Sequence, residues 1–240
     1  MRIHTLIPSR LGSTRLPGKA LMDICGKPMI VRVWEQARKA GVGPVTVAGG
    51  DKAIVEAVEK AGGEAVLTDP DLPRGSDRIW RALQILIEKG AEKPDIVMNV
   101  QGDEPFFPPE LIIEAVKAFD LGWPDIVTFC HETEDPAVVD SPDCVKAVTD
   151  AKGRALYFCR YPIPYRAKAV KHHIGFYAYR YEALERFVRT PPTALEIAED
   201  LEQLRGLELG LAYYVGLTEH KARGVDTPGD LEKARRLAGG

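Results

Sequence analysis

The chain has 240 residues, of which 45% are hydrophobic and 28% charged, values typical of a soluble globular protein. Its net charge of −3 argues against a nucleic-acid binder that works through bulk positive charge. No stretch approaches the roughly 20 apolar residues of a membrane span, so we expect no membrane partner.

Short apolar, β-branched runs alternate with amphipathic segments, a pattern typical of an α/β fold with a parallel-rich sheet between helices. The predicted strands cover residues 3–8, 44–48, 64–67, 95–100, 125–130 and 211–215. The predicted helices cover residues 28–40, 52–61, 77–89, 109–119, 195–205 and 228–237. We expect one domain over residues 1–240, because no segment reads as a linker.

Residues 144–180 have a different pattern, since strand-like runs at 144–149, 155–159 and 174–180 follow one another without helices. They predict an antiparallel insertion, and its Tyr and Phe content favours a dimer surface. Cys25, Cys130, Cys144 and Cys159 show no C-x-x-C spacing, so neither a disulfide framework nor a zinc site is indicated. The predicted strand at residue 3 leaves no room for a signal peptide, and we expect a cytoplasmic protein.

The first strand leads into a loop, R-L-G-S-T-R-L-P-G-K, that carries Arg10, Arg15 and Lys19 among small and turn-forming residues. Small residues let backbone N–H groups approach an anion, and the cations neutralise it. The loop is not a Walker motif, because five residues separate Gly12 from Gly18 and no hydroxyl follows Lys19. It also lacks the G-x-G-x-x-G of dinucleotide-binding folds. The pattern predicts a nucleoside triphosphate site of another type.

This loop resembles the signature of the cytidylyltransferases that activate acidic sugars, and most of all the branch acting on 3-deoxy-manno-octulosonate (KDO). The resemblance continues along essentially the whole chain, in the motifs G-K-P-M-I (26–30), G-S-D-R (75–78), N-V-Q-G-D-E-P (99–105), Y-F-C-R-Y-P-I-P (157–164), H-I-G-F-Y-A-Y-R (173–180), L-E-Q-L-R (201–205) and G-V-D-T-P-G-D-L-E (224–232). It implies a Rossmann-like nucleotidyltransferase fold, with a mostly parallel mixed sheet flanked by helices and the antiparallel insertion used in homodimerisation.

The resemblance also implies the reaction, in which a KDO hydroxyl attacks the α-phosphate of CTP to give CMP-KDO and pyrophosphate. Lipopolysaccharide synthesis is the use that it implies for the product. The implied nucleotide-binding residues are Pro8, Ser9, Arg10, Arg15, Lys19, Ser76 and Gln101.

Two carboxylates are the candidate ligands of a magnesium ion. Asp103 follows the predicted strand 95–100 and therefore lies at the edge of the sheet where open α/β folds bind ligands. Asp226 lies just outside the last helix, where Thr227 can serve as the cap and Pro228 as the first residue. Magnesium binds through one or two carboxylates with phosphate oxygens and water, and the resembled family uses both matching aspartates. Glu104 is a weaker candidate, because Pro105 indicates a turn there.

Further polar side chains suit an anionic, hydroxyl-rich sugar. Arg160 lies in a strand-like run, where a guanidinium is costly unless exposed or paired with an anion. The period of two places His173 and Tyr177 on one face of a strand. The sugar-binding residues implied by the resemblance are Arg78, Gln101, Arg160, His173, Tyr177, Glu202 and Gln203.

One segment departs from the resembled family, which commonly ends its second strand in Ala-Thr-Asp-Asp. This chain has Gly49 and Gly50 there, so a hydroxyl and a carboxylate are missing at the rim of the nucleotide site. One lost hydrogen bond costs on the order of 1 kcal/mol. The departure therefore affects the ribose or base contacts that select cytidine, and not the type of reaction.

Three alternatives stay open at this point. The acceptor is a related or modified sugar acid, or the protein is a glycosyltransferase that consumes a nucleotide sugar, or it is an inactive nucleotide sensor. Asp103 is not part of an Asp-x-Asp motif, which argues against the second, and the presence of Lys19, Asp103 and Asp226 together argues against the third. The residues decide neither the number of metal ions nor a general base, although Arg10, Lys19, Asp103 and Asp226 are the catalytic candidates.

Overall fold

The computed structural model describes residues 1–13, 16–220 and 224–239. The chain divides into two compact units, one formed by Met1–Ile113 with Ala222–Gly240 and the other by Glu114–Lys221. The single domain expected for residues 1–240 stays a prediction.

The first unit is built on parallel strands. Its strands are β1 (Ile3–Ser9), β2 (Asp23–Ile24), β3 (Lys27–Pro28), β4 (Val45–Gly49), β5 (Glu64–Leu67) and β6 (Ile96–Asn99). The sheet has the order β6-β1-β4-β5, with every pair parallel. Leu6 and Ile7 are fully buried neighbours on β1, as expected for a strand covered on both faces.

Helices of the first unit follow the predicted positions. They are α1 (Met29–Arg38), α2 (Lys52–Lys60), α3 (Gly75–Glu88) and α9 (Pro228–Gly239), while α4 (Glu110–Ala118) leads the chain into the second unit. The predicted cap of α9 is confirmed, because the Asp230 N–H donates to Thr227 Oγ1 over 3.2 Å. α3 begins at Gly75, two residues before the predicted start, so Ser76 and Asp77 lie in its first turn.

The second unit contains the predicted antiparallel insertion. Its strands are β7 (Ile126–Thr133), β8 (Lys146–Thr149), β9 (Ala155–Cys159), β10 (Val170–Arg180) and β11 (Tyr213–Leu217). β7 pairs in parallel with β11 and antiparallel with β10, and β8 pairs antiparallel with β9 and β10. An α/β architecture with an antiparallel insertion is thus confirmed.

The second unit also corrects one predicted helix. Its helices are α5 (Pro136–Val139), α6 (Tyr181–Arg189), α7 (Ala194–Glu199) and α8 (Gln203–Glu208). The single helix predicted over 195–205 is wrong, because Asp200 adopts a left-handed conformation (φ 51°) that ends α7. Asp is one of the few residues other than Gly that accept this conformation. Throughout the described residues, every helix is too short or too polar to cross a bilayer.

Candidate active site

A cleft of about 380 Å³ opens in the first unit beside the loops that follow β1, β5 and β6. Its lining includes eight of the predicted site residues, namely Pro8, Ser9, Arg10, Lys19, Arg78, Gln101, Asp103 and Asp226. Arg15 lies outside the described residues. Ser76 is buried in α3, and within the described chain its hydroxyl has no hydrogen-bond partner. The loop and both predicted metal carboxylates are therefore assembled in one place.

Lys19 joins the two carboxylates at the bottom of this cleft. Its ammonium donates to Asp103 Oδ2 over 2.6 Å and to Asp226 Oδ1 over 2.9 Å. Burial alone would lower the pKa of Lys19, but attraction to and hydrogen bonds with both aspartates raise it above the ordinary value. The lysine is therefore charged at neutral pH, and it balances part of the negative charge of the pair.

Backbone contacts bring Asp103 and Asp226 together although they lie 123 positions apart in the chain. The Val225 N–H donates to the carbonyl oxygen of Asp103 over 2.9 Å, which fixes the segment before α9 against the segment after β6. A Cβ at Gly102 would lie 2.6 Å from the carbonyl oxygen of Pro8, so only glycine allows this close approach to β1.

The carboxylates fit a hard divalent cation. Oxygens of Asp103 and Asp226 converge on one ammonium, so a cation at that point has two carboxylate ligands within reach. Two carboxylates with phosphate oxygens and water form the donor set that magnesium prefers. Glu104 is unsuited to this role, because burial, assisted by Asp103, raises its pKa to about 8. Its side chain is buried, which favours the neutral carboxylic acid over the carboxylate that a metal ion binds.

Asp51 is a site residue that the sequence reasoning missed. Its Oδ2 accepts a hydrogen bond from the Leu11 N–H over 2.8 Å, and the Gly50 N–H donates to the Ser9 carbonyl oxygen over 2.8 Å. These bonds hold the start of the arginine-rich loop against the end of β4. The only signal in the sequence was the position of Asp51, directly after the unusual Gly-Gly pair.

Arg78 lines the cleft, but oxygen atoms of the protein accept the hydrogen bonds of its guanidinium. Its Nη1 donates to Thr68 Oγ1 over 2.7 Å and to the Asp69 carbonyl oxygen over 2.9 Å, and Nη2 donates to the Pro70 carbonyl oxygen over 3.1 Å. These contacts do not require a sugar, and the predicted sugar contact of Arg78 stays a prediction.

Arg160 is also satisfied by backbone oxygens in the second unit. The guanidinium donates to the carbonyl oxygens of Glu199 over 2.7 Å and Asp200 over 2.9 Å, and to that of Pro142 over 3.0 Å. These bonds, together with the Asp200 carboxylate 3.5 Å from Nη2, explain why a guanidinium is tolerated next to a strand. They also fix the turn that separates α7 from α8.

His173 and Tyr177 lie side by side on β10, as the period of two predicts, with ring centroids 5.3 Å apart. Gly175 and Phe176 form a bulge between them, and the Thr128 hydroxyl donates to the Phe176 carbonyl oxygen over 2.7 Å. Thr128 Oγ1 also lies 2.9 Å from His173 Nε2. Because the bulge adds two residues, the alternation of faces is preserved across it.

Glu202 and Gln203 occupy the start of α8. Glu202 is half-buried at the N-cap position, and the side chain of Gln203 is buried. The Tyr213 hydroxyl donates to the Gln203 carbonyl oxygen over 3.0 Å, which ties this turn to β11. The predicted sugar roles of both residues stay predictions.

Two neighbouring histidines predict that the protein loses stability in acid. Burial, with contributions from His131 and Lys146, lowers the pKa of His172 from 6.5 to about 4. Burial, with a contribution from His172, lowers the pKa of His173 from 6.5 to about 3. Between these values and 6.5 the unfolded chain binds more protons than the folded one, so stability falls as the pH falls through 6.5.

Each histidine contributes a slope of up to about 1.4 kcal/mol per pH unit in this window. Urea unfolding at pH 7.5, 6.5 and 5.5 measures the slope for the unaltered protein and for His172→Gln. We expect a shallower slope in His172→Gln and an unchanged one in the control His220→Gln, whose ring is 39% exposed. Parallel curves for all three proteins would contradict the assignment.

Known proteins resemble this chain over its full length. A sequence model of the family described as "Cytidylyltransferase" matches residues 4–218. A 3-deoxy-manno-octulosonate cytidylyltransferase from Parvibaculum lavamentivorans is 51% identical over 234 residues, covering 96% of this chain and 90% of the relative. One from Methylobacterium radiotolerans is 48% identical over 239 residues, covering 98% and 96%.

A solved structure shows the same fold. It is a CMP:2-keto-3-deoxy-manno-octonic acid synthetase complexed with CTP, with a TM-score of 0.90 and 38% sequence identity. The match covers 100% of this chain and 99% of the other.

Proposed function

The chain belongs to the cytidylyltransferase family and has its Rossmann-like nucleotidyltransferase fold, and we propose that it transfers CMP from CTP to KDO. The relatives at 48% and 51% identity bear the name of this activity. The observation that carries the proposal is the single ammonium of Lys19 between Asp103 and Asp226, inside a cleft bordered by Arg10.

The cations of the loop neutralise the triphosphate. Arg10, Arg15 and Lys19 bind phosphate oxygens of CTP and of the departing pyrophosphate, because these groups gain negative charge as the bond to the α-phosphorus breaks. Holding the reactants in one orientation supplies a further large share of the rate. Pro8, Ser9, Ser76 and Gln101 complete the nucleotide site.

Asp103 and Asp226 hold magnesium in this proposal. When bound, magnesium acidifies a coordinated hydroxyl and neutralises phosphate charge. The KDO hydroxyl loses its proton and forms a bond to the α-phosphorus, while the bond from this phosphorus to the bridging oxygen of pyrophosphate breaks. The products are CMP-KDO, pyrophosphate and the proton released from the hydroxyl.

The acceptor is bound by polar side chains that suit a sugar acid. His173 is neutral at pH 7, and because its Nε2 lies 2.9 Å from Thr128 Oγ1, Nδ1 is the ring nitrogen that it offers to a sugar hydroxyl, with the Tyr177 phenol beside it. Glu202 and Gln203 contribute from α8. Arg160 orients the turn before Glu202 through its bonds to Glu199 and Asp200.

Pyrophosphate release is the assay for this function. The purified protein is incubated with CTP and magnesium, with and without KDO, beside parallel reactions with UTP and with sialic acid. We expect release only when CTP, KDO and magnesium are all present. Release with a different sugar acid would keep the reaction and show that KDO is not the acceptor. A nucleoside diphosphate product would indicate a glycosyltransferase. No release with any acceptor would favour a nucleotide sensor.

We propose that the protein is a homodimer in the cytoplasm and that its product serves lipopolysaccharide synthesis. Apolar side chains of the insertion support a dimer, because Leu156, Tyr161 and Tyr165 are 58%, 69% and 88% exposed. Exposed aromatic clusters mark protein interfaces.

Sedimentation velocity tests the dimer. We expect Tyr161→Asp with Tyr165→Asp to convert the dimer to a monomer, since two carboxylates cannot be buried unpaired. Leu121→Asp, at an exposed position outside the insertion, should sediment like the unaltered protein. A monomeric unaltered protein would refute the proposal.

A further inference from the structure

Gly50 leaves room for the guanidinium of Arg78. A Cβ at position 50 would lie 2.7 Å from Arg78 Nη1 and 3.2 Å from Arg78 Cζ, with Arg10 Cβ at 3.3 Å on its other side. A Cβ essentially never lies this close to another heavy atom, so a larger residue at position 50 requires the guanidinium to shift from its hydrogen-bonded position. This is the position at which the chain departs from the Ala-Thr-Asp-Asp pattern of the family.

The guanidinium stabilises the segment after β5. Arg78 is 2% exposed, and it donates to the Thr68 hydroxyl and to the carbonyl oxygens of Asp69 and Pro70. Thr68 in turn donates to the Gly49 carbonyl oxygen, from its N–H over 2.8 Å and from its hydroxyl over 3.1 Å. One buried cation therefore ties α3 and the segment 68–70 to the end of β4.

That segment leads directly into one wall of the cleft. Leu72, Pro73, Arg74 and Gly75 line it, immediately before α3 begins. Hydrogen bonds from a charged donor are roughly twice as strong as neutral ones, so their loss would release the segment that precedes this wall. Burial and the neighbouring Arg10 lower the pKa of Arg78, while Asp51 and Asp69 oppose this effect.

We propose that Gly50 and Arg78 are a pair of positioning residues that hold the wall at residues 72–75 in the shape required for CTP. The effect that we expect on the affinity for CTP rests on the proposed function. Arg78 acts through the backbone of residues 69 and 70 and does not contact the sugar. Gly50 acts because it has no side chain and so leaves space for the Arg78 guanidinium.

Steady-state kinetics test the consequence. We expect Gly50→Ala and Arg78→Ala each to raise the KM for CTP about tenfold, with the KM for KDO changed less than about twofold. Arg78→Lys should recover part of the loss, because an ammonium keeps the charge but not the planar fork. Thr68→Val should act in the same direction more weakly. Arg81→Ala is the control, since Arg81 lies on the same helix but is exposed and paired with Glu88.

A double-mutant cycle tests the pairing itself. If the role of Gly50 is to leave space for Arg78, adding Gly50→Ala to Arg78→Ala should leave the KM for CTP within about twofold of that of Arg78→Ala alone. A further tenfold rise would show that Gly50 acts through Arg10 and would overturn the pair. A rise in the KM for KDO in place of CTP would show that Arg78 binds the sugar.

Thermal unfolding provides a measure that is independent of activity. The fall in Tm of the double variant should be smaller than the two single falls added together, and additive falls would overturn the pair. If the unaltered protein releases no pyrophosphate, the proposed function fails, while this cycle still decides whether Gly50 and Arg78 are coupled.

Discussion

Asp103→Asn is expected to lower kcat at least about 1,000-fold, equivalent to about 4 kcal/mol of transition-state stabilisation. The substitution preserves shape but removes one of the two carboxylates that converge on Lys19 Nζ. An amide neither balances the charge of a divalent cation nor holds Lys19 as an ion pair. The measurement is the rate of pyrophosphate release at saturating CTP and KDO, with circular dichroism to verify the fold.

Two further variants make this result specific. Asp120→Asn is the matched control, because Asp120 is exposed outside the cleft and should leave kcat unchanged. If Asp103 acted only by holding Lys19, adding Asp103→Asn to Lys19→Met would cause no further loss. We expect a further loss, together with a weaker response of the rate to magnesium. Near-normal activity of Asp103→Asn would refute its proposed role as a metal ligand.

The strands were predictable because buried parallel strands have a strong compositional signal. The apolar runs at 3–8 and 95–100 correspond to β1 (Ile3–Ser9) and β6 (Ile96–Asn99), which are buried and parallel. The hairpin of β2 and β3 was not predictable in the same way, since each strand has two residues. Its turn places Cys25 at φ 49°, a conformation that composition does not indicate for cysteine.

The clustering of Arg10, Lys19 and Asp103 was predictable from a rule of topology, whereas Asp226, just before α9, was predicted from the helix cap and the family resemblance. Loops after neighbouring parallel strands meet at one edge of the sheet, and β1 and β6 are such neighbours. What the arginines contact was not predictable. Arg78 and Arg160 suggested anions, but their acceptors are carbonyl oxygens of turns, and the path of a turn depends on long-range packing.

Arg205→Met is expected to lower the free energy of unfolding by about 3–5 kcal/mol. Arg205 and Glu196 form a fully buried ion pair, 3% and 0% exposed, with hydrogen bonds of 2.7 and 2.6 Å from the guanidinium to the two carboxylate oxygens. Removing the guanidinium leaves a buried carboxylate without its counter-charge. Urea unfolding monitored by fluorescence measures the loss.

The exposed pair Arg189–Glu185 is the matched control in the same unit, with side chains 71% and 31% exposed. Arg189→Ala should change stability by less than about 1 kcal/mol, because water screens exposed charges. Combining Arg205→Met with Glu196→Gln should recover part of the loss, since no buried charge then remains. A loss in Arg205→Met no larger than in Arg189→Ala would refute the assignment.

Arg205→Met also separates an effect on stability from an effect on substrate binding. The ion pair between Arg205 and Glu196 fixes α7 against α8, and α8 begins with Gln203. The Glu196 carboxylate also accepts from the Thr193 N–H over 3.2 Å, so loss of its counter-charge also affects the start of α7. If Glu202 and Gln203 bind KDO, Arg205→Met should raise the KM for KDO several-fold at a temperature where the variant remains folded. The KM for CTP, whose proposed site lies in the first unit, should stay unchanged. Equal effects on both substrates would indicate general loosening of the fold and remove α8 from the acceptor site.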